Sequence, residues 1–139
     1  MDRQATIEAI ERIDRDHRTL SRLFDKLQDA LVAGRDDGTI ETARQAMLGH
    51  LDAHIAFEEE LMAARDYPLT FTHKEQHQAF RDQVASILAG IETRTVSVNN
   101  VAKLLKKTHA FHTKYSDETL CLYMRDKYAF HAVADGLGI

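Results

Sequence analysis

Apolar side chains recur every three or four residues through four long stretches of this chain, and this spacing constrains the fold more than any other feature. The stretches cover about residues 5–33, 40–64, 70–91 and 97 onward. Such a period places the apolar side chains on one face of an α-helix. The 139 residues include one proline and six glycines, whereas turn-rich β folds need more of both. The sequence therefore predicts an all-α protein.

Turn-forming residues separate the predicted helices. The stretch Gly34–Gly38 closes the first helix, and Thr39 is predicted to be the N-cap of the second. The second helix ends before Pro68, because proline cannot continue a helix. Either Thr70 or Thr72, the latter within a capping box, begins the third helix.

Long helices joined by short loops are typical of an antiparallel four-helix bundle with up-down-up-down topology. A mass of 15.8 kDa leaves room for one hydrophobic core. We therefore expect a single domain over residues 1–139, with a four-helix core over about residues 5–118 and a short helical extension over about residues 119–139.

Charge and hydropathy argue against several partners. The formal net charge of −4 is unfavourable for an extended nucleic-acid interface. No apolar run approaches the roughly 18 residues that a membrane-spanning helix needs, and the first ten residues lack the pattern of a secretory signal. The single cysteine, Cys121, fits a reducing compartment. We expect a cytoplasmic protein that binds neither nucleic acid nor a membrane.

Histidine and carboxylate side chains interrupt the apolar stripe of every predicted helix. They are His17; His54 and Glu58; His73 and His77; and His112 with Asp117. A spacing of four residues places both members of a pair on one helical face. Because buried polar groups without partners cost several kcal/mol, so many of them in one core need a common counter-charge. Metal cations would supply it.

Each of these residues also has an ordinary structural interpretation. A lone core histidine such as His17 is more often hydrogen-bonded than a metal ligand, and acidic runs such as Glu58–Glu60 usually face solvent. Asp117 is the weakest candidate, because a spacing of five residues from His112 turns it away from that side chain in an α-helix. It would have to reach a metal from the flank of the helix. The metal-site prediction depends on inward ligands from all four helices together.

Several familiar metal sites do not fit this ligand set. A structural zinc site has four ligands, usually with cysteine among them. The zinc-protease motif HExxH is absent, and no glutamate precedes a histidine by three residues as the ferritin-like di-iron proteins require. A histidine-rich dinuclear site with two carboxylates remains.

The order His, HxxxE, HxxxH and HxxxxD across four helices resembles the hemerythrin family, which includes bacterial hemerythrins and hemerythrin-like domains, over about residues 7–120. The resemblance implies two iron ions bridged by Glu58, Asp117 and an oxo or hydroxo group. In this arrangement the second iron has one ligand fewer than the first, and dioxygen would bind at that open position. The first iron would be bound by His73, His77 and His112, and the second by His17 and His54.

The resemblance implies a non-haem di-iron protein that binds dioxygen reversibly for storage, carriage or delivery, and that is a binding protein rather than an enzyme. Two alternatives stay open. One is a module that senses oxygen, redox state or iron and signals to a protein partner. The other is a di-iron enzyme that acts on peroxide or nitric oxide, with Tyr115 near its oxygen pocket. His50, His109 and His131 are interpreted as non-ligands.

Overall fold

The structure is a computed structural model that describes residues 3–127, 130 and 131. These residues form helices and connecting turns, with no strand among them. The predicted all-α bundle is confirmed, and the predicted bounds of the first three helices differ from the observed ones by three residues or fewer. The helices are α1, Arg3–Val32; α2, Asp37–Ala64; α3, Thr70–Glu92; α4, Val101–His112; and α5, Glu118–Arg125.

Two short helical segments flank α4. A 3₁₀ turn, Val98–Asn100, leads into it, and the Ser97 hydroxyl caps that turn by accepting the backbone N–H of Asn99. A π-helical turn, Thr113–Asp117, then carries α4 directly into α5. The last helix of the bundle is therefore continuous but changes its winding once.

The packing follows the order of the chain. The α1 helix packs against α2 and α4, and α3 packs against α2 and α4. Because the connections at 33–36, 65–69 and 93–97 are short, consecutive helices run antiparallel. Among the described helices, none combines the length and apolar content needed to cross a bilayer.

The N-caps of two helices differ from those predicted. Asp36, rather than Thr39, caps α2, because its carboxylate accepts the Thr39 backbone N–H at 2.8 Å. Leu69 occupies the cap position of α3 and provides no side-chain bond. The hydroxyl of Thr70 instead donates to the carbonyl of Tyr67 at 2.7 Å, within the turn that precedes the helix.

A polar layer divides the bundle interior into two apolar clusters. On α1, Ile13 belongs to one cluster and Leu20 to the other, and His17 lies between them. On α2, Glu58 separates the two clusters in the same way. The α5 helix and Phe130 close the cluster that contains Ile13, and Phe130 is fully buried. The rest of the predicted extension, at residues 128, 129 and 132–139, lies outside the described residues.

Candidate metal centre

The structure brings all seven predicted ligands together in the polar layer. Six of them are buried with at most 5% of their surface exposed, while the His17 side chain is 15% exposed. Their donor atoms form two groups, each with all atoms within 4.8 Å of one another, and both carboxylates belong to both groups. The first group contains Glu58, His73, His77, His112 and Asp117, and the second contains His17, His54, Glu58 and Asp117.

The two oxygens of the Glu58 carboxylate face different histidines. Its Oε1 atom lies 2.9 Å from His77 Nε2 and 3.4 Å from His73 Nε2. Its Oε2 atom lies 3.5 Å from His54 Nε2, on the opposite side. Glu58 therefore extends one oxygen to each donor group.

Asp117 divides its oxygens in the same way. Its Oδ1 atom lies 3.1 Å from both His73 Nε2 and His112 Nε2. Its Oδ2 atom lies 2.8 Å from His17 Nε2 and 3.8 Å from His54 Nε2. The two carboxylates thus lie between the same two sets of imidazoles, which is the arrangement that a pair of bridged cations needs.

The π-helical turn allows Asp117 to take this position. In a regular α-helix, five residues turn a side chain about 140° away from the first one. Between His112 and Asp117 the chain is wound more loosely, and the Glu118 N–H bonds the carbonyl of Thr113, five residues back. The wider turn places Asp117 in line with His112, so it does not reach the site from the flank as a regular α-helix would require.

Two further carboxylates hold imidazoles of the centre from outside. Asp16 Oδ2 lies 3.0 Å from His54 Nδ1, and Glu59 Oε2 lies 3.0 Å from His77 Nδ1. When Nδ1–H donates a hydrogen bond to a carboxylate, the Nε2 lone pair of the neutral ring is directed into the site. Neither residue was predicted from the sequence. The one feature that could have indicated them is that each lies next to a predicted ligand in the chain.

Burial and neighbouring charges shift the pKa values of four residues in this layer far from their usual values. Burial lowers the pKa of His54, but Asp117, Glu58 and Asp16 outweigh it and raise this pKa to about 9. Burial and the neighbouring Asp117 raise the pKa of Glu58 well above its usual range. Burial also opposes ionisation of Asp117, yet the close imidazoles, His112 foremost, hold its pKa well below the usual value. Burial and adjacent imidazoles lower the pKa of His77 to about 2.

Unpartnered atoms show that these residues fit bound cations. Five ligand atoms are buried but make no hydrogen bond, although they lie close to one another. They are His54 Nε2, Glu58 Oε2, His73 Nε2, His112 Nε2 and Asp117 Oδ1. An unsatisfied buried group costs about 1–3 kcal/mol, and coordination by imidazole and carboxylate would satisfy all five. The chemistry of the donor set therefore suits metal ions.

The three remaining histidines occupy different environments. His50 is half-buried, with Nε2 lying 3.1 Å from the carbonyl oxygen of Asp16, and His131 is exposed. His109 is buried, and its ring meets the edge of the His17 ring at 5.1 Å between centroids. Burial, together with the neighbouring imidazoles, lowers the pKa of His109 to about 3. His109 was predicted to be a non-ligand, and it belongs to neither donor group.

Tyr115 does not belong to the buried layer. Its side chain is 55% exposed, and its ring packs on Phe111 at 4.7 Å between centroids. Tyr115 does, however, line a cleft between α1 and the α4–α5 helix together with His17 and Asp117, so a role of its phenol at an oxygen pocket stays a prediction.

The helical bundle and its buried layer of histidines and carboxylates define a metal-binding helical protein. The family described as "Hemerythrin HHE cation binding domain" matches residues 8–134, and the chain belongs to this family. Comparison with curated proteins gives no match, and neither does comparison with solved structures.

Proposed function

We propose that the protein holds two iron ions in this centre and that the pair binds dioxygen reversibly, for storage, carriage or delivery. The observation that carries the proposal is the division of the two carboxylates. Glu58 and Asp117 each direct one oxygen to the first donor group and the other oxygen to the second. A single metal ion would not require two carboxylates that are each shared between two donor groups.

The two donor groups support a division of the ligands between the two ions. Glu58 and Asp117 would bridge the two ions, and the second ion would have one protein ligand fewer, which leaves a position for an external ligand. When bound, a di-iron pair supplies two electrons that one dioxygen molecule can take up reversibly. His73, His77 and His112 would bind the first ion, and His17 and His54 the second.

The surroundings favour a nitrogen and oxygen donor set without thiolate. Imidazole and carboxylate together suit iron. Cys121 is buried in an apolar cluster, and burial raises the pKa of its thiol to about 12. It stays a neutral thiol at neutral pH and is not among the donor groups.

The protein's own residues would position the ligands and exclude water. Asp16 and Glu59 hold the rings of His54 and His77 with Nε2 directed inward. The two apolar clusters shield the layer on both sides, and a water-poor site limits the side reactions of reduced oxygen. His17, the most exposed ligand, marks the side from which an external ligand can enter.

The test is metal analysis of the purified protein, with visible spectra recorded under argon and then in air. We expect about two irons per chain, as two bridged sites require, and an absorption band that appears in air and disappears when oxygen is removed. His54→Ala should lower iron occupancy and abolish the band. His131→Ala, at an exposed histidine, is the matched control and should change neither.

Other outcomes would refute specific parts of the proposal. One zinc per chain, or no metal, would overturn the dinuclear assignment. Two irons that oxidise irreversibly in air would keep the centre but contradict reversible oxygen binding. That result would favour sensing, or chemistry on peroxide or nitric oxide.

A further inference from the structure

Two aromatic side chains are exposed on the outer face of the last helix of the bundle, four residues apart. Phe111 is 65% exposed and Tyr115 is 55% exposed, and their rings pack on each other at 4.7 Å between centroids. Single exposed apolar residues are ordinary on a protein surface, whereas contiguous ones mark interaction sites. Aromatic side chains are also enriched at the centres of protein interfaces. These two rings, called the aromatic pair below, therefore indicate a contact surface.

The aromatic pair lies beside a ligand of the first donor group. Both of its residues line a groove between α3 and α4, together with His112 and Phe80. Phe80 stacks on the His112 ring at 5.2 Å between centroids. The His112 ring thus borders the groove, while its Nε2 atom lies in the metal centre, 3.1 Å from Asp117 Oδ1. A partner seated on this surface would be one side chain away from the first metal ion.

The groove is too small for an organic ligand. Its volume is about 70 Å³, which leaves room for only a few water molecules. Two side-chain hydrogen bonds join α4 to α3 along the groove. The Thr108 hydroxyl donates to Gln83, and the Ser116 hydroxyl donates to Gln76. Because these bonds hold the two helices together, the surface is preformed, and its shape suits a protein partner.

The same stretch of the chain carries unpaired positive charge. Residues 101–116 contain four lysines and no carboxylate. Lys106 pairs with Asp25 on α1 at 2.7 Å. The other three lysines are exposed and make no ion pair with a described residue; they are Lys103, Lys107 and Lys114. Lys103 and Lys107 precede Phe111 at steps of four residues, so they share its face of the helix.

Nearby carboxylates do not cancel this charge. The first exposed carboxylate after the lysines is Glu118, and the whole chain has a net charge of −4. On α3, up to residue 91, two cations balance two carboxylates; they are Lys74, Arg81, Glu75 and Asp82. An aromatic centre with a charged rim is the usual anatomy of a protein interface. Since complementary charge steers association, the lysines favour a partner whose surface is acidic.

We propose that this face, with the aromatic pair at its centre and Lys103, Lys107 and Lys114 around it, docks an acidic one-electron carrier protein that reduces the metal centre. The inference rests on the proposed dinuclear iron centre. When bound oxygen leaves in reduced form, it takes electrons with it, and a centre with two ferric ions has none to give to dioxygen. Two reduced carriers would each lose one electron, and the two ferric ions would each accept one and become ferrous.

The test begins with iron-loaded protein that has been oxidised to the diferric state. Under argon it is mixed with reduced plant-type [2Fe–2S] ferredoxin, an acidic one-electron carrier, and the loss of ferric absorption gives the rate of reduction. Calorimetric titration with oxidised ferredoxin gives the affinity. Both should fall as the salt concentration is raised from about 0.05 to 0.5 M, because salt screens exposed charges. Dithionite is the small reductant that needs no docking surface.

The aromatic pair and the lysines are tested separately. Phe111→Ser removes the centre of the surface and should weaken the affinity for ferredoxin about tenfold. Lys103→Glu combined with Lys107→Glu should slow reduction by ferredoxin at low salt at least about tenfold. These side chains are exposed and belong to neither donor group. Both variants should therefore keep the wild-type metal content and the wild-type rate of reduction by dithionite.

The matched controls make the same kinds of change on other surfaces. Lys26→Glu combined with Arg35→Glu gives the same net charge, at exposed positions on α1 and in the loop that follows it. Val32→Ser replaces an apolar side chain that is 52% exposed at the end of α1. Neither control should change the rate or the affinity. A loss in the charge control as large as that in the lysine variant would overturn the proposal, because it would show a response to net charge alone.

The remaining outcomes also decide the question. Wild-type rates in both Phe111→Ser and the lysine variant would overturn the docking surface. A wild type that dithionite reduces and ferredoxin does not would overturn it too. A dimer in sedimentation velocity that Phe111→Ser dissociates would assign the face to a second copy of the chain instead. Wild-type protein without iron, detected by metal analysis before the kinetics, would refute the dinuclear centre and the electron route with it.

Discussion

Removal of the metal ions should cost the protein a large part of its stability. In the metal-free chain, five ligand atoms are buried without a hydrogen bond. Because Asp117 Oδ1 lies 3.1 Å from two of the other four atoms, a cost of about 1 kcal/mol for each unsatisfied group gives an upper figure of about 5 kcal/mol. The free energy of unfolding of a whole domain is only about 5–15 kcal/mol. The metal-free protein is therefore expected to be marginally stable.

Thermal unfolding followed by far-ultraviolet circular dichroism measures this loss. For a chain of this length, 1 kcal/mol shifts the melting temperature by about 3–4 °C. Protein treated with a chelator, which is then removed, should melt up to about 15 °C below the metal-loaded protein. Adding ferrous iron back under argon should restore the higher melting temperature.

A variant with lower metal occupancy gives the matched control. His54→Ala removes one donor of the second group, so chelator treatment should shift its melting temperature much less than that of the wild type. A wild-type shift below about 3 °C, within the effect of 1 kcal/mol, would refute the reasoning. It would mean that the buried layer satisfies its polar atoms without cations.

Three further predictions address individual residues of the layer. Glu58→Gln should lower the metal content to one ion per chain or less, because an amide cannot bridge two cations. Glu60→Gln, at an exposed position of the same acidic run, should leave the metal content unchanged. Asp16→Asn should weaken metal affinity about 10–100-fold in competition with a chelating dye, since His54 loses the carboxylate that orients it. In urea titrations, the metal-free protein should lose up to about 3 kcal/mol of stability as the pH rises from 6.5 to 9. The reason is that the pKa of His54 is raised to about 9 in the folded state, so the folded chain keeps this proton over a pH range in which the unfolded chain has lost it. A flat profile over that range, or the same loss in His54→Ala, would contradict the prediction.

The helices and the residues of the polar layer could be predicted because both follow from periodicity within single helices. Each helix buries one continuous face, and a buried polar side chain such as His17 or Glu58 stands out as an interruption of that face. The N-caps were harder to predict. Asp36 and Thr39 are both good capping residues within one turn, and only the observed start of α2 at Asp37 decides between them.

The residues that orient the predicted ligands could not be predicted from the sequence. Asp16 lies on α1 and bonds a histidine on α2, while Glu59 lies on α2 and bonds a histidine on α3. Each contact depends on how two helices are rotated relative to each other, and no pattern within a single helix contains that rotation. The same holds for His109, whose position beside His17 follows from the packing of α1 against α4.

The π-helical turn could have been predicted in part, because the spacing of the predicted ligands in the last helix indicated it. The buried positions of the last helix run through Leu105, His109, His112 and Ser116 at intervals of three or four residues, whereas the predicted ligands His112 and Asp117 are five residues apart. Every residue turns an α-helix by about 100°, so Asp117 would face away from His112 in a regular helix. The wider turn at Thr113–Asp117 removes this difference in direction. It thereby aligns Asp117 with the centre and leaves the intervening Tyr115 in solvent. Wide turns of this kind are frequent at functional sites, and here one such turn completes the proposed bridge.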